Sequence, residues 1–141
     1  RLAELREGVW LRPDNLPAGA LPEAEAVVAA QCTRLAARPE GDPTALAATL
    51  WDLDGWARRA VRLEQALARS RPALERRERA ALPEAFVLSA AVLRLLQSDP
   101  LLPADLLPGA WPGERLRDAH RAWRRELDAT WLARIDDRID G

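Results

Sequence analysis

The 141-residue chain contains no Lys, no Met and no Tyr, and only one Cys, one His and one Phe. A single cysteine, Cys32, excludes an internal disulfide and a cysteine-based zinc site. A single histidine, His120, leaves little for metal binding or general base chemistry. Signatures of the common catalytic classes are missing too: no G-x-S-x-G elbow, no glycine-rich phosphate loop, no H-E-x-x-H. No catalytic residue, metal site or cofactor is expected. The sequence shows no signal peptide and no apolar run that approaches a membrane span, so the expected compartment is the cytoplasm, without membrane partners. The absence of Lys makes all 21 basic residues Arg, which reads as codon bias. Without a Met, the chain is expected to be a fragment of something longer.

What is present describes a folded protein. Hydrophobic residues make up 48% and charged residues 30%, a balance that builds a core. The length suits one or two small domains, and folding should bury roughly two thirds of the unfolded surface. Net charge is −1. The Arg clusters "RRAVR", "RPALERRER" and "RRELD" carry interleaved Glu, the pattern of a solvated helix face with i,i+4 pairing. Phosphate neutralisation needs a concentrated basic surface, so specific DNA recognition is not expected of this chain alone.

Residues 8–12, "GVWLR", alternate as a strand, with Val9 and Leu11 on one face and Trp10 and Arg12 on the other. Residues 26–36, "AVVAAQCTRLA", read as a second strand of the same sheet, which would bury Cys32, with helix as the competing reading because alanine is common there. From Pro43 the period becomes helical. Asp42 is placed to cap and Pro43 to begin the helix. Leu46, Leu50, Leu53, Ala57, Ala60, Leu63 and Leu67 form its stripe, interrupted at Asp52–Gly55 by a kink or by two abutting helices, with Pro72 closing the block. Residues 72–80 form a charged helical piece. Pro83 opens an apolar helix, "PEAFVLSAAVLRLLQ", whose all-round hydrophobicity predicts burial. A last helix runs from about Pro112 with the stripe Leu116, Ala119, Trp123, Leu127, Trp131 and Ile135. A composition shift near residue 70 divides the chain into 1–70, strands and a helix, and 71–141, all helix. The fold class is α+β. His120 is read as a surface or boundary residue, and the acid pairs Asp52/Asp54 and Asp136/Asp137 as caps and solvated helix ends rather than metal ligands.

Between the last two helices lies "SDPLLPADLLPGAWPGE", with prolines 100, 103, 108 and 112. Proline suppresses helix and fixes the path. Residues 98–113 are therefore expected to act as a stiff apolar strap, in which Leu101, Leu102, Leu106, Leu107 and Trp111 pin two helices at low entropic cost. "PADLL" should form one helical turn. Trp111 is expected against the helix of Phe86 and Leu93 and the final helix of Trp123, and Asp99 at a turn or beside Arg94.

Three stretches, "GVWLRPDNL", "LWDLDGWARR" and "DPLLPADLLPGAWPG", resemble in order and spacing the PaaX family of bacterial transcriptional repressors. The resemblance covers most of the chain. It implies a partial ferredoxin-like (Cas2-like) central domain followed by a mostly helical C-terminal domain, with "RLAEL" the end of the first helix of the central domain, Val9–Arg12 its second strand and residues 26–34 its third. It also implies a winged-helix DNA-binding domain upstream, through which alone DNA would be contacted. Family members respond to phenylacetyl-coenzyme A, so an acyl-coenzyme A-type effector is implied. The candidate effector-binding residues are Arg12, Trp51, Arg94 and Trp111. Where family members often carry a polar His-Glu-Tyr-Arg-like run, this sequence has Ala90, Ala91, Val92 and Leu93, and only Arg94 keeps basic character. The expected function is the effector-sensing and dimerising part of a repressor. A structural oligomerisation module without ligand response is the alternative. A homodimer is expected because unpaired strand edges invite pairing and palindromic sites require symmetric dimers. A Cas2-type nuclease is disfavoured, since the strand carrying its Asp lies outside this sequence.

Overall fold

A two-residue turn at Glu7 and Gly8 begins the fold, with Gly8 at φ +76°, a value open to glycine at no steric cost. In the computed structural model, which describes residues 2–17 and 19–139 (for 136–139 the backbone only), this turn folds strand β1 (Ala3–Arg6) back on strand β2 (Val9–Leu11). The pair is antiparallel, with Ala3 opposite Leu11 and Glu4 opposite Trp10, and an irregularity between Glu4 and Arg6. Ala3–Leu5 of "RLAEL" are thus strand rather than a helix end, and Arg1 lies outside the described residues: the hairpin supplies backbone partners that override local preference. Val9 and Leu11 are half-buried and Trp10 exposed, the alternation read from the sequence.

The expected strand over residues 26–36 is instead helix α1 (Pro22–Gln31). Proline in the first turn, Glu23 and Glu25 beside it, and a run rich in alanine outweigh two valines. Cys32 is consequently no buried strand residue; it follows the helix end, exposed. Helix α2 (Pro43–Leu50) is capped by Asp42, whose side chain accepts from the Thr44 N–H. The chain is mostly helical with one small antiparallel sheet among the described residues.

Helix α3 (Leu53–Glu75) begins afresh after α2, so the stripe broken at Asp52–Gly55 is two helices. Pro72 does not close α3. It sits inside the last turn, where its missing N–H forfeits one i→i−4 bond, and the helix ends three residues later. There the Glu78 N–H bonds to the Ala73 carbonyl and the Arg77 N–H to the Leu74 carbonyl, with Arg77 at φ +58°, a Schellman closure. The expected helix over 72–80 is cut by this turn. A short 3-10 turn, Arg79–Ala81, leads to α4 (Leu82–Gln97), and α5 (Gly113–Ile139) ends the described chain. Contacts divide the chain into two units: Arg1–Trp51 with Pro100–Leu107, and Asp52–Asp99 with Pro108–Gly141. Residue 70 lies inside α3.

In the second unit α3, α4 and α5 enclose the core of Trp56, Ala60, Leu67, Leu74, Leu82, Val92, Leu116, Trp123 and Leu127. Polar groups inside it are paired: the Trp123 Nε1–H donates to Ser70 Oγ at 2.9 Å, and the Thr130 hydroxyl to the Leu74 carbonyl at 2.9 Å. Beyond Thr130 the stripe of α5 fails, because α3 has ended: Trp131 and Ile135 are exposed. Helix α4 departs from its expected burial. Leu82, Ala85, Ser89, Val92 and Leu95 face the core, while Phe86, Val87 and Leu93 are exposed. Within the second unit α3 and α5 pack against one side of it. Residues 79–97, counting the preceding turn, are long and apolar enough to cross a membrane by length and composition, contrary to the expectation of no such run.

The proline-rich segment is divided between the units. Residues Pro100–Leu107 belong to the first, where a 3-10 turn at Ala104–Leu106, the helical turn expected of "PADLL", packs on α2. There the Asn15 side chain donates to the Leu101 carbonyl at 2.9 Å. Leu102 is buried, but Leu101 is exposed at φ +56°.

Candidate functional site

Asp52 begins the best-defined polar and aromatic cluster of the second unit. Its carboxylate caps α3 by accepting from the Gly55 N–H at 2.9 Å. A Cβ at Gly55 would lie 2.0–2.5 Å from that carboxylate, so glycine is the residue that lets the cap close. One residue on, Trp56 is 3% exposed. Its Nε1–H donates to the Leu95 carbonyl at 3.0 Å, in the last turn of α4, where the Ser98 hydroxyl also donates at 2.7 Å. The indole stacks on Trp111 with ring centroids 4.6 Å apart and planes at 16°.

Trp111 is half-buried against α3, not against Phe86 and Leu93 as expected. Phe86 instead meets Trp131 edge-on. A planar neighbour from α3 offers the indole a full face, and the exposed side of α4 does not. Gly113 makes the close approach possible: a Cβ there would fall 2.7 Å from the Trp111 Nε1 and 3.0 Å from the Asp99 carboxylate. Asp99 itself is 2% exposed and meets Arg117 Nη2 at 2.5 Å. Its ion partner is therefore on α5 rather than Arg94. Arg117 also holds Glu114 at 3.1 Å.

Arg94 lies exposed on α4 and Trp111 in the stack, both in the second unit. Arg12 and Trp51 lie in the first: Arg12 follows β2 and donates to the Pro13 carbonyl at 3.3 Å, and the Trp51 N–H closes α2 on the Ala47 carbonyl. Trp56 and Arg117 were missed as site residues. Asp99 carried a signal for Arg117, because residues 98–114 contain no basic residue and a buried carboxylate needs one. Among the described residues no group of three or more His, Cys, Asp or Glu side chains could hold a metal. The Asp136/Asp137 pair lies outside the described side chains.

His120 is a second departure. It is buried at 8% exposure, not on the surface, and shares a 3.1 Å hydrogen bond with Ser89 Oγ. Ser89 lies on the otherwise apolar core face of α4, and it is what makes the site habitable for an imidazole. Burial, and secondly the Arg124 guanidinium, lower the His120 pKa from 6.5. A depressed folded pKa contributes stability that is present above the unfolded value and lost as pH falls through the folded one. The melting temperature of the chain, relative to His120→Gln, should therefore be steady above about pH 6.5 and fall on acidification below it.

The elements that converge here, "DLDGW" at the start of α3 and "GAWPG" at the start of α5, fall in one family domain: a model of the PaaX-like protein C-terminal domain matches residues 51–133. The chain belongs to the PaaX-like family. Neither a curated protein nor a solved structure matches it. The PaaX-like domain spans α3, α4 and most of α5, with the stacked Trp56–Trp111 pair and the Asp99–Arg117 ion pair inside its bounds. Membership points to transcription regulation rather than catalysis.

Proposed function

We propose that this chain is the effector-sensing and dimerising portion of a PaaX-type repressor acting in the cytoplasm. The match of the PaaX-like C-terminal domain carries the reading. DNA would be contacted by a winged-helix domain placed ahead of this portion. The Cas2-like half of the reading draws support from the order strand, strand, helix over residues 3–31, the middle of a βαββαβ unit. The effector is an acyl-coenzyme A, phenylacetyl-coenzyme A by family resemblance, with Arg12 and Trp51 of the first unit and Arg94 and Trp111 of the second as separate candidate contacts. It acts by favouring one of two conformations that present the paired DNA-binding domains differently.

Thermal melting with phenylacetyl-coenzyme A tests this. A ligand that binds only the folded state at about 100 times its Kd stabilises by about 2.7 kcal/mol, so the transition should move up by several degrees. Coenzyme A without the acyl group should move it less. A transition indifferent to a series of acyl-coenzyme A compounds would leave the structural oligomerisation module as the better reading.

A further inference from the structure

We propose that the outward face of α3 is a sequence-independent contact for the phosphate backbone of duplex DNA. This rests on the regulator reading above and adds a second point of contact to that of the upstream winged-helix domain. Arg58, Arg62, Gln65 and Arg69 are exposed on α3. Each stands two residues, about 200° of helix turn, past a residue of the core or packed against it: Trp56, Ala60, Leu63 and Leu67. The four therefore share the side turned from the core. In the sequence Glu64 and Glu75 stand among these arginines, the pattern of a self-paired face. The structure draws them off it. Glu64 reaches Arg115 of α5 at 2.8 Å, and Glu75 holds Arg71 at 2.7 Å. Asp52 caps the helix and meets Arg59 at 3.4 Å. Asp54 lies one turn before Arg58, in the first turn of α3, and bounds the stripe. Among the described residues no salt bridge joins Arg58, Arg62 or Arg69 to a carboxylate.

Length, charge and composition select the occupant. From Arg58 to Arg69 the helix rises about 16 Å. Over that length a duplex strand presents a phosphate about every 3.4 Å of its axis, so a straight row of arginines tracks it without a pocket. Each guanidinium is a planar fork that fits a phosphate with two hydrogen bonds. The uncharged member of the stripe, Gln65, is polar as well. Protein interfaces are centred on aromatic or aliphatic anchors, and helices lying in a lipid surface insert Trp, Phe or Leu. This face offers neither: Val61, 37% exposed, is the bulkiest exposed apolar side chain of α3. Nucleic-acid interfaces are polar and positively charged. Contacts to phosphate position a protein on the duplex and carry no sequence information, in keeping with a chain of net charge −1 that is not expected to read an operator by itself.

Fluorescence anisotropy of a labelled mixed-sequence DNA duplex, titrated with the chain over a range of salt, tests the proposal. Three phosphate contacts give the logarithm of the binding constant a slope of about −2.7 against the logarithm of salt. Arg62→Ala should flatten that slope by about 0.9, and Arg62→Ala with Arg69→Ala by about twice as much, weakening binding at low salt by at least about tenfold. Both positions are exposed and alanine favours helix, so far-ultraviolet circular dichroism should stay unchanged. Lysine at both positions should keep the slope, because it keeps the charge. Arg125→Ala, which removes an exposed arginine of α5, should leave it as in the parent. A slope that Arg125→Ala flattens as much as Arg62→Ala does overturns the assignment to α3. A chain that ignores the duplex at low salt overturns the proposal and leaves the regulator reading standing, since the melting response to acyl-coenzyme A decides that separately. Poly-glutamate bound as tightly as the duplex overturns it in favour of an acidic protein. Phosphatidylserine vesicles bound in preference to the duplex overturn it in favour of lipid.

Discussion

Replacing Asp99 by alanine should destabilise the second unit by about 3 kcal/mol, the low end for breaking a buried ion pair, because Arg117 then keeps only the exposed carboxylate of Glu114. Asp99 is 2% exposed and Arg117 is 26% exposed at its side chain, so solvent screens the pair far less than a surface bridge. The carboxylate also sits where the approach of Gly113 leaves no slack. Denaturant unfolding followed by near-ultraviolet circular dichroism measures the loss. Arg117→Ala should destabilise for the reciprocal reason, and the double variant should lose much less than the sum. Additive losses would show that the two side chains act independently. The surface pair Arg121–Asp118, 70% and 67% exposed at the side chains, serves as the control, and its removal should be nearly silent.

Trp56→Ala should have an effect of similar size, about 3–5 kcal/mol, as expected for removing a buried aromatic. Three contributions are lost together: the apolar burial, the stack on Trp111, and the hydrogen bond to the Leu95 carbonyl. Trp56→Phe separates them. It keeps a ring to stack and leaves that carbonyl without the indole donor, so its loss should be about 1–3 kcal/mol. Trp111→Ala should fall below Trp56→Ala, since Trp111 is only half-buried. A Trp111→Ala loss equal to or larger than that of Trp56→Ala would show that the half-buried ring, not the buried one, carries the stack. Equilibrium unfolding of the three variants on one scale makes the comparison.

Helix α2, its Asp42 cap, the interruption at Asp52–Gly55, the onset of α4 at Pro83 and the opening of α5 were all legible in the sequence. Each depends on a local rule: a side chain reaching a nearby N–H, a proline in a first turn, or apolar residues repeating every three or four positions. The family could be read as well, because its motifs are contiguous. The reading failed for residues 26–36, where β-branched valines among alanines satisfy both patterns and local preference decided for helix. It failed again at "RLAEL", where pairing across the Gly8 turn decided for strand.

The sequence by itself thus determined where helices start, which segment could not be helical, and that residues 51–133 follow a PaaX-like pattern. Tertiary structure alone decided the partners. The helical period of α4 was equally consistent with burial on every side, yet two neighbouring helices cover one face of it and leave the other open. His120 became a core residue because Ser89, 31 positions away, supplies its hydrogen bond. Trp111 found Trp56, and Asp99 found Arg117, across distances along the chain over which no local rule operates. Periodicity records which residues avoid water; which of them meet depends on packing three helices at once.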